Sequence, residues 1–403
     1  MTGTASTAPP RVLGLVADDL TGAADSAVGF AQHGWRVELA LRSGAPRVLN
    51  PSIATVLALT TETRALHDTD AAQQTFTATN ELITAGAERL YVKIDSTVRG
   101  SVAAQIDGAI RAWSTAHDNA IAVVCPAFPN LGRTVVNGAV LVDGVPVGDT
   151  AAGNDPVTPR TESDLLRIIP GSIRGTPDTV GSARIVVVDA RTTSDLDMLA
   201  ARLATADHSV IMVGSGGLTA ALGRLWPVEP GSPATLLPRR AASGVLVAVS
   251  SLHPVTRQQV AQLCEHPSDQ VKIMTATQAI NVSAAEAAAE LADRVAAELR
   301  AGYYLAAVLV GGDGAAAILR RLAADRLVVD SMISTGCANG TVVGGPADGL
   351  RLITKSGGFG QPDTLTRIVD RLRSDADMPA VDRPPSDALP DLSSEPPHQK
   401  EAP

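Results

Sequence analysis

Two adjacent carboxylates are the first residues in this chain that could do chemistry. In VADDLTGAADSA (16–27), Asp18 and Asp19 follow directly on an apolar run and stand before Thr21 and Gly22 at the start of an alanine-rich stretch. In open parallel sheets ligands gather beyond the carboxyl ends of strands, so this pair could bind polyol hydroxyls or take a proton there. One acid at that junction reads as a helix cap, and two exceed what a cap needs. A second group, YVKIDSTVRGSV (91–102), places Lys93, Asp95, Ser96, Thr97, Arg99 and Gly100 behind another apolar run. Arginine can clamp a carboxylate bidentately and lysine adds a point charge. The plain alternative is a solvated turn with an ordinary cap. Lys93 inside a strand is awkward in a buried sheet without a partner or ligand.

A third segment, CPAFPNLGRTVVNGAVLVDGVPV (125–147), breaks after a strand at Pro126 and Pro129 and carries Asn130, Gly132, Arg133 and Thr134. Its composition fits a functional loop and a simple turning loop equally, and Asp143-Gly144 predicts a hairpin. Glycine signals follow: GSGGL (214–218), GGDGAAAI (311–318), and SGGFG (356–360) behind Lys355. Each lies between an apolar run and a helical stretch, where backbone N–H groups could meet phosphate. A single such turn is ordinary βα punctuation, and repetition within one half gives the pattern its weight. There is no GxxxxGK[ST] loop, no GxGxxG after the first strand and no GxSxG elbow. The histidines show no metal-binding spacing, and only His253, beside Ser250 and Ser251, stands in a suggestive place.

These groups need elements to hold them. Apolar β-branched runs at 11–17, 54–60, 89–94, 120–126, 184–190 and 209–215 alternate with helical stretches near 22–33, 68–85, 101–115 and 194–205. The alternation resumes with strands at 244–250, 271–276 and 305–312, helices from 254, near 282–300 and near 362–373, and a strand opening 351–360. This is βαβ rhythm, and it predicts an α/β fold in two domains, each with a mostly parallel sheet flanked by helices. The proline-bearing segment 227–243 predicts a linker between 11–226 and 244–373. Residues 1–10 predict a loose N-terminus. Residues 374–403, with seven acidic against two basic residues and seven prolines, predict a disordered tail.

Composition narrows the partners. The 403 residues carry a net charge of -9 and only four Phe, three Trp and three Tyr, which argues against a nucleic-acid binder built on basic charge and stacking rings. No apolar run approaches the roughly 20 residues needed to span a bilayer, so a soluble cytoplasmic protein without a membrane partner is expected. Cys125, Cys264 and Cys337 are widely spaced and read as small buried hydrophobes. Nothing in the sequence sets the oligomeric state, and a homo-oligomer stays open.

The ordered set ADDLTGA (17–23), KIDSTVRG (93–100), CPAFPNLGRT (125–134), GSGGL (214–218), GGDG (311–314) and GGPADGLRLITKSGGFG (344–360) resembles the four-carbon acid sugar kinase family over nearly all of residues 11–373. The resemblance implies a sugar-acid-binding N-terminal domain, a nucleotide-binding C-terminal domain and an active site in the interdomain cleft. It also implies ATP and Mg²⁺ as cofactors and phosphorylation of the terminal 4-hydroxyl of a tetronate such as 3-oxo-tetronate, D-threonate or D-erythronate. By position, Asp18, Asp19, Lys93, Asp95, Ser96 and Arg99 would form the acid-sugar site, with Asp19 or Asp18 orienting or deprotonating the hydroxyl. Ser250, Ser251, Gly311, Gly312, Asp313, Gly314, Gly357 and Gly358 would hold ATP. Two places depart from the family pattern: Ser250-Ser251-Leu252-His253 stands where a Gly-Ser-Cys-Ser run is usual, and Gly314 where a hydroxyl residue is usual. Those departures motivate an alternative, a sugar-acid-binding regulator that has lost catalysis. The α/β pattern alone would also allow an NAD-dependent dehydrogenase.

Overall fold

The computed structural model describes residues 8–42, 53–155, 157–179, 182–228, 242–277 and 284–377. The N-terminal half runs β1 (Val12–Ala17), α1 (Leu20–Ala31), β2 (Arg36–Ala40), β3 (Thr55–Thr60), α2 (Asp68–Thr84), β4 (Arg89–Lys93), α3 (Val102–Trp113) and β5 (Ile121–Cys125). A small antiparallel sheet of β6 (Arg133–Val136), β7 (Ala139–Val142) and β8 (Val145–Pro146) follows. The half closes with α4 (Leu165–Ile168), β9 (Ile173–Gly175), β10 (Ile185–Val188), α5 (Thr193–Ala204), β11 (Val210–Gly214) and α6 (Gly216–Leu225). The C-terminal half runs β12 (Gly244–Val249), α7 (Pro254–Cys264), β13 (Val271–Thr275), α8 (Ala284–Arg300), β14 (Tyr304–Val310) and α9 (Gly312–Arg321). It continues with β15 (Arg326–Ser334), β16 (Cys337–Val343), β17 (Arg351–Lys355) and α10 (Thr364–Asp377).

The strands expected from their apolar runs are buried, the edge strand β13 excepted, because both faces of a parallel sheet are covered by helices. Along β12, Leu246 and Ala248 face one core while Val245, Val247 and Val249 face another. The first of these cores is continuous through both halves, from Leu13 and Val92 to Leu309 and Leu352. The predicted hairpin forms at Asp143 and Gly144, whose φ values of 50° and 80° are the pair that a two-residue turn of matching twist requires. The last helix continues to Asp377, past the 373 read from the sequence.

Main-chain pairing joins the halves. The strand order is β13-β12-β14-β17-β16-β15-β2-β3-β1-β4-β11-β5-β10-β9, one sheet of 14 strands. The two sheets expected from the sequence meet where β15 pairs antiparallel with β2, Arg326 opposite Ala40 and Val329 opposite Val37. Arg326 Nε lies 3.6 Å from Glu38 Oε2 and Arg42 Nη1 lies 3.1 Å from Asp325 Oδ1 across this joint. Strand β2 and the β15–β16 hairpin were not anticipated, and they are the elements that make the connection. Of the expected linker, residues 229–241 lie outside the described residues, as do 1–7 of the N-terminus and 378–403 of the tail. Cys125 and Cys337 are buried as expected, whereas Cys264, at the last turn of α7, is exposed.

Each half has a point where the strand order reverses. In the first, β1 has β3 on one side and β4 on the other, and in the second β12 has β13 and β14. The crevice beyond the strand ends at such a point is where open α/β sheets bind ligands. Asp18-Asp19 leaves β1, Ile94-Asp95 leaves β4, Ser250-Ser251 leaves β12 and Gly311 leaves β14, so the candidate motifs fall at the two reversal points.

Candidate active site

Asp19 is the N-cap of α1, its side chain accepting from Gly22 N at 3.1 Å and from Thr21 Oγ1 at 2.6 Å. Arg64, which follows β3, spans the acid pair: Nε donates to Asp18 Oδ2 at 2.7 Å and Nη2 to Asp19 Oδ1 at 2.6 Å. Lys93, 5% exposed at the end of β4, brings Nζ to 3.9 Å from Asp18 Oδ1, and that oxygen is buried without a hydrogen-bond partner. Gly22 makes room for the lysine, since a Cβ at that position would lie 2.6 Å from Lys93 Nζ. Burial works to raise the Asp19 pKa, but Arg64, Lys93 and the Thr21 hydroxyl outweigh it and hold the carboxyl below the usual range.

The turn after β4 is built on Asp95. Arg99 closes a bidentate fork on it, Nε to Oδ2 and Nη2 to Oδ1, both 2.9 Å, and extends Nη1 to Asp155 Oδ2 at 2.8 Å. Thr97 donates to the same carboxylate through its N–H and its hydroxyl. Despite burial, Arg99 and Arg64 hold the Asp95 carboxyl well below its ordinary value. Ser96 is buried alongside at 8% exposure. The guanidinium expected to be open for a substrate carboxylate is therefore closed on protein acids in this arrangement.

Three loops of the C-terminal half converge. Gly311, with φ at 105°, caps α9 without a side-chain bond, so the first N–H groups of this ten-residue helix have no capping side chain from the N-cap residue. A Cβ on Gly311 would lie 2.5 Å from Ser250 Oγ, one on Gly314 would overlap Ser250 Cβ and Oγ, and one on Gly357 would overlap Ser251 Oγ. The two departures from the family pattern thus occupy one space: the side chain at 250 fills what glycine at 314 vacates. Thr256 Oγ1 ties the cluster to Gly357 O at 2.7 Å. Lys355, fully buried, donates to Ser356 O at 3.0 Å and Phe359 O at 2.9 Å, which holds the 356–360 turn in place, and burial lowers its pKa. His253 caps α7 by accepting from Val255 N at Nδ1 (3.2 Å), so in its neutral form the proton is on Nε2, near Gly358.

The two sets of residues touch. A Cβ on Gly312 would lie 2.6 Å from Asp19 Oδ2, so the glycine loop after β14 rests on the acid pair after β1. Arg133 places its guanidinium carbon 5.5 Å from the Phe359 ring centre. His253 lies in the field of Arg99, Asp155 and Arg133 as well as Lys355; burial and these cations push its pKa down. Asp313 and Glu62 face Asp19 from opposite halves. Burial first and the Asp19 charge second raise the Asp313 pKa, while burial takes Glu62 to about 8. Asp25, on the buried face of α1, is raised by burial to about 6, with Lys93 pulling it down and a Gly336 N–H facing it.

Asp18, Asp19, Lys93 and Asp95 lie in one buried network that the partly buried Arg99 extends, with Ser96 buried beside it, and the residues expected for ATP lie around the Ser250–Gly311–Gly357 convergence. Arg64, Glu62, Asp25 and Asp155 were missed. Arg64 carried a readable signal, a lone arginine in TETRALH directly after an apolar run. Nothing in the local sequence marks Asp155, which reaches Arg99 across 56 positions.

A sheet with reversal points in both halves thus brings acids and cations at one against a glycine-capped helix N-terminus at the other, the arrangement of a two-part ligand site. Residues 13–222 match the family model described as sugar-binding N-terminal domain, and residues 275–365 the model described as nucleotide-binding C-terminal domain. The chain is 36% identical to a D-threonate kinase of Bordetella bronchiseptica over 90% of its own length and 97% of the relative's. It is 29% identical to a D-threonate kinase of Salmonella typhimurium, covering 87% and 96%. A solved Haemophilus influenzae structure of the DUF1537 family model shares the fold at a TM-score of 0.66 and 21% identity, covering 89% of this chain and 100% of that one. The chain belongs to the four-carbon acid sugar kinase family and is a phosphotransferase.

Proposed function

We propose that this kinase transfers the γ-phosphoryl group of ATP to the terminal 4-hydroxyl of a tetronate, in the cytoplasm where ATP is supplied. D-threonate is the first acceptor to test because the 36% identical relative is a D-threonate kinase. The observation that carries the reading is the meeting of Gly312 with Asp19, which would bring a nucleotide phosphate at the α9 N-terminus beside a hydroxyl at the acid pair. Gly311, Gly312, Asp313 and Gly314 would offer backbone donors, with Ser250, Ser251, Gly357 and Gly358 shaping the cradle. Lys93, Asp95, Ser96 and Arg99 would frame the acceptor.

Of the two aspartates, Asp18 suits the proton. Asp19 has both oxygens committed, whereas Asp18 Oδ1 has no hydrogen-bond partner, with Lys93 Nζ 3.9 Å away. The hydroxyl oxygen forms its bond to phosphorus as the bond to the ADP bridging oxygen breaks, and the hydroxyl proton passes to Asp18. Lys93 stabilises the carboxylate before transfer and the charge that develops during it. Asp313, in the first turn of α9 and close enough to feel the Asp19 charge, would be the protein residue to hold Mg²⁺. When bound, the ion would neutralise phosphate charge.

A coupled ADP-release screen over D-threonate, D-erythronate and 3-oxo-tetronate tests the reading, with acceptor-dependent ATP consumption expected. Loss of catalysis in a sugar-acid-binding regulator would give none. Asp18→Asn should lower kcat by about 100-fold or more with the KM for ATP unchanged. Normal turnover by that variant would remove Asp18 from the mechanism.

A further inference from the structure

The arginines around Asp95 are not equivalent. Arg64 has two donors committed to Asp18 and Asp19, and the fork of Arg99 is closed on Asp95 with its remaining arm on Asp155. Arg133, at the start of β6, is different. Among the described residues the hydrogen bonding of its side chain is limited to Nη1 donating to Leu131 O, and its Nε is buried without a partner. One face of the guanidinium lies over the Phe359 ring. A stacked guanidinium keeps its in-plane donors, so the Nε side of the fork remains available to a planar anion.

Its position is equally specific. The charges that bear on it are those of Asp95 and Arg99 on the acceptor side and of Asp143 in the hairpin turn, while Phe359 belongs to the glycine loop held by Lys355. Arg133 therefore stands between the residues proposed to frame the acceptor and a loop proposed to hold the nucleotide. Lys93, Arg64, Arg99, Arg133 and Arg160 all act on Asp95, and among the described residues neither Arg133 nor Arg160 is hydrogen-bonded to a carboxylate. Arg160 also has a buried unpartnered Nε, but its guanidinium is anchored to Gly100 O and it makes no ring contact with the nucleotide side.

We propose that Arg133 receives the carboxylate of the acid sugar and sets the preference for sugar acids over uncharged polyols. The inference rests on the tetronate kinase reading and goes beyond it by assigning acid recognition to a residue outside the Lys93–Arg99 segment. It also gives the Arg133–Phe359 contact a purpose, since the ring fixes the plane in which the fork is presented.

The test compares wild type, Arg133→Gln, Arg133→Lys and Arg160→Gln in ADP-release assays with D-threonate and with threitol, its uncharged polyol analogue. Arg133→Gln should raise the KM for D-threonate by about 10- to 100-fold, the loss expected of a charged bidentate hydrogen bond. Its KM for ATP should stay within about twofold, and kcat/KM for threitol should be unchanged. Arg133→Lys, which keeps the charge and loses the fork, should fall between. A D-threonate KM within about twofold of wild type, an equal loss with threitol, a rise in the ATP KM instead, or an effect confined to Arg160→Gln would each overturn the assignment. Thermal melting separates folding from binding, and if Arg133→Gln does not fold the same ratio is read from Arg133→Lys. A wild-type protein that phosphorylates no tetronate would overturn the parent reading, an outcome distinct from normal wild-type turnover with an unaffected Arg133 variant.

Discussion

Asp25 shows how a single buried carboxyl can cost stability at neutral pH. Its folded pKa of about 6 exceeds the ordinary 3.8, because burial disfavours the charge more than Lys93 and the facing N–H favour it. Between those values the folded protein binds the extra proton, so stability from this group is full below about pH 4 and falls as pH rises through 6. At pH 7 the loss is roughly 3 kcal/mol. Asp25→Asn retains an acceptor for Gly336 and removes the charge, so it should raise Tm at pH 7–8 and flatten the slope of stability between pH 4 and 6. Denaturant titrations at four pH values would check this, and an unchanged slope would show that Asp25 is not the group responsible. At this scale the sequence was informative about residue type and place, and silent about pairing. The positions of Asp18, Asp19, Lys93 and Asp95 followed from their placement after strands. That Arg99 is turned inward onto Asp95 did not, because its other anchor, Asp155, comes from a loop whose approach depends on the whole N-terminal half.

Helix α9 and the turn after β12 have to be read as one element. Gly314→Ala puts a Cβ into the space of the Ser250 side chain, and neither backbone has freedom to retreat where Ser250 N is bonded to Val310 O at 3.0 Å. Overpacking of this kind costs about 1–3 kcal/mol. Gly314→Ala alone should lose that much stability and raise the KM for ATP, while Ser250→Gly with Gly314→Ala should recover most of both. Melting curves and ATP kinetics on the four corners of the cycle would give the coupling, and additive losses would show that the two sites do not share the space. Read singly from the sequence, Ser250 and Gly314 looked like two independent weakenings of the nucleotide side. The structure makes them complementary, a relation between positions 64 residues apart in sequence that only the adjacency of β12 and β14 creates.

Across the whole molecule, the continuous core and the β2–β15 pairing predict that the halves unfold together. Calorimetry of the full chain should give one transition with equal calorimetric and van't Hoff enthalpies, and two resolved transitions would mean that the joint carries little energy. The α/β class and most parallel strands were legible because buried strands are continuous apolar runs. The strands of the joint were not. β2 reads Arg-Val-Glu-Leu-Ala, and β15 and β16 bury Ser331, Ser334, Asn339 and Thr341, a polar pattern that resembles loop until the partner strand is known.

The polar residues of β2 have a consequence during synthesis. β15 is made some 290 residues after β2, so at roughly 5–20 residues per second the nascent β2 edge waits about 15–60 s for its partner. Through that interval it is an open strand edge of the kind that recruits other chains, and inward charges are a common defence. Arg36 and Glu38 supply such charges, paired with each other at 2.5 Å, and Glu38 then accepts Arg326 when the last partner arrives.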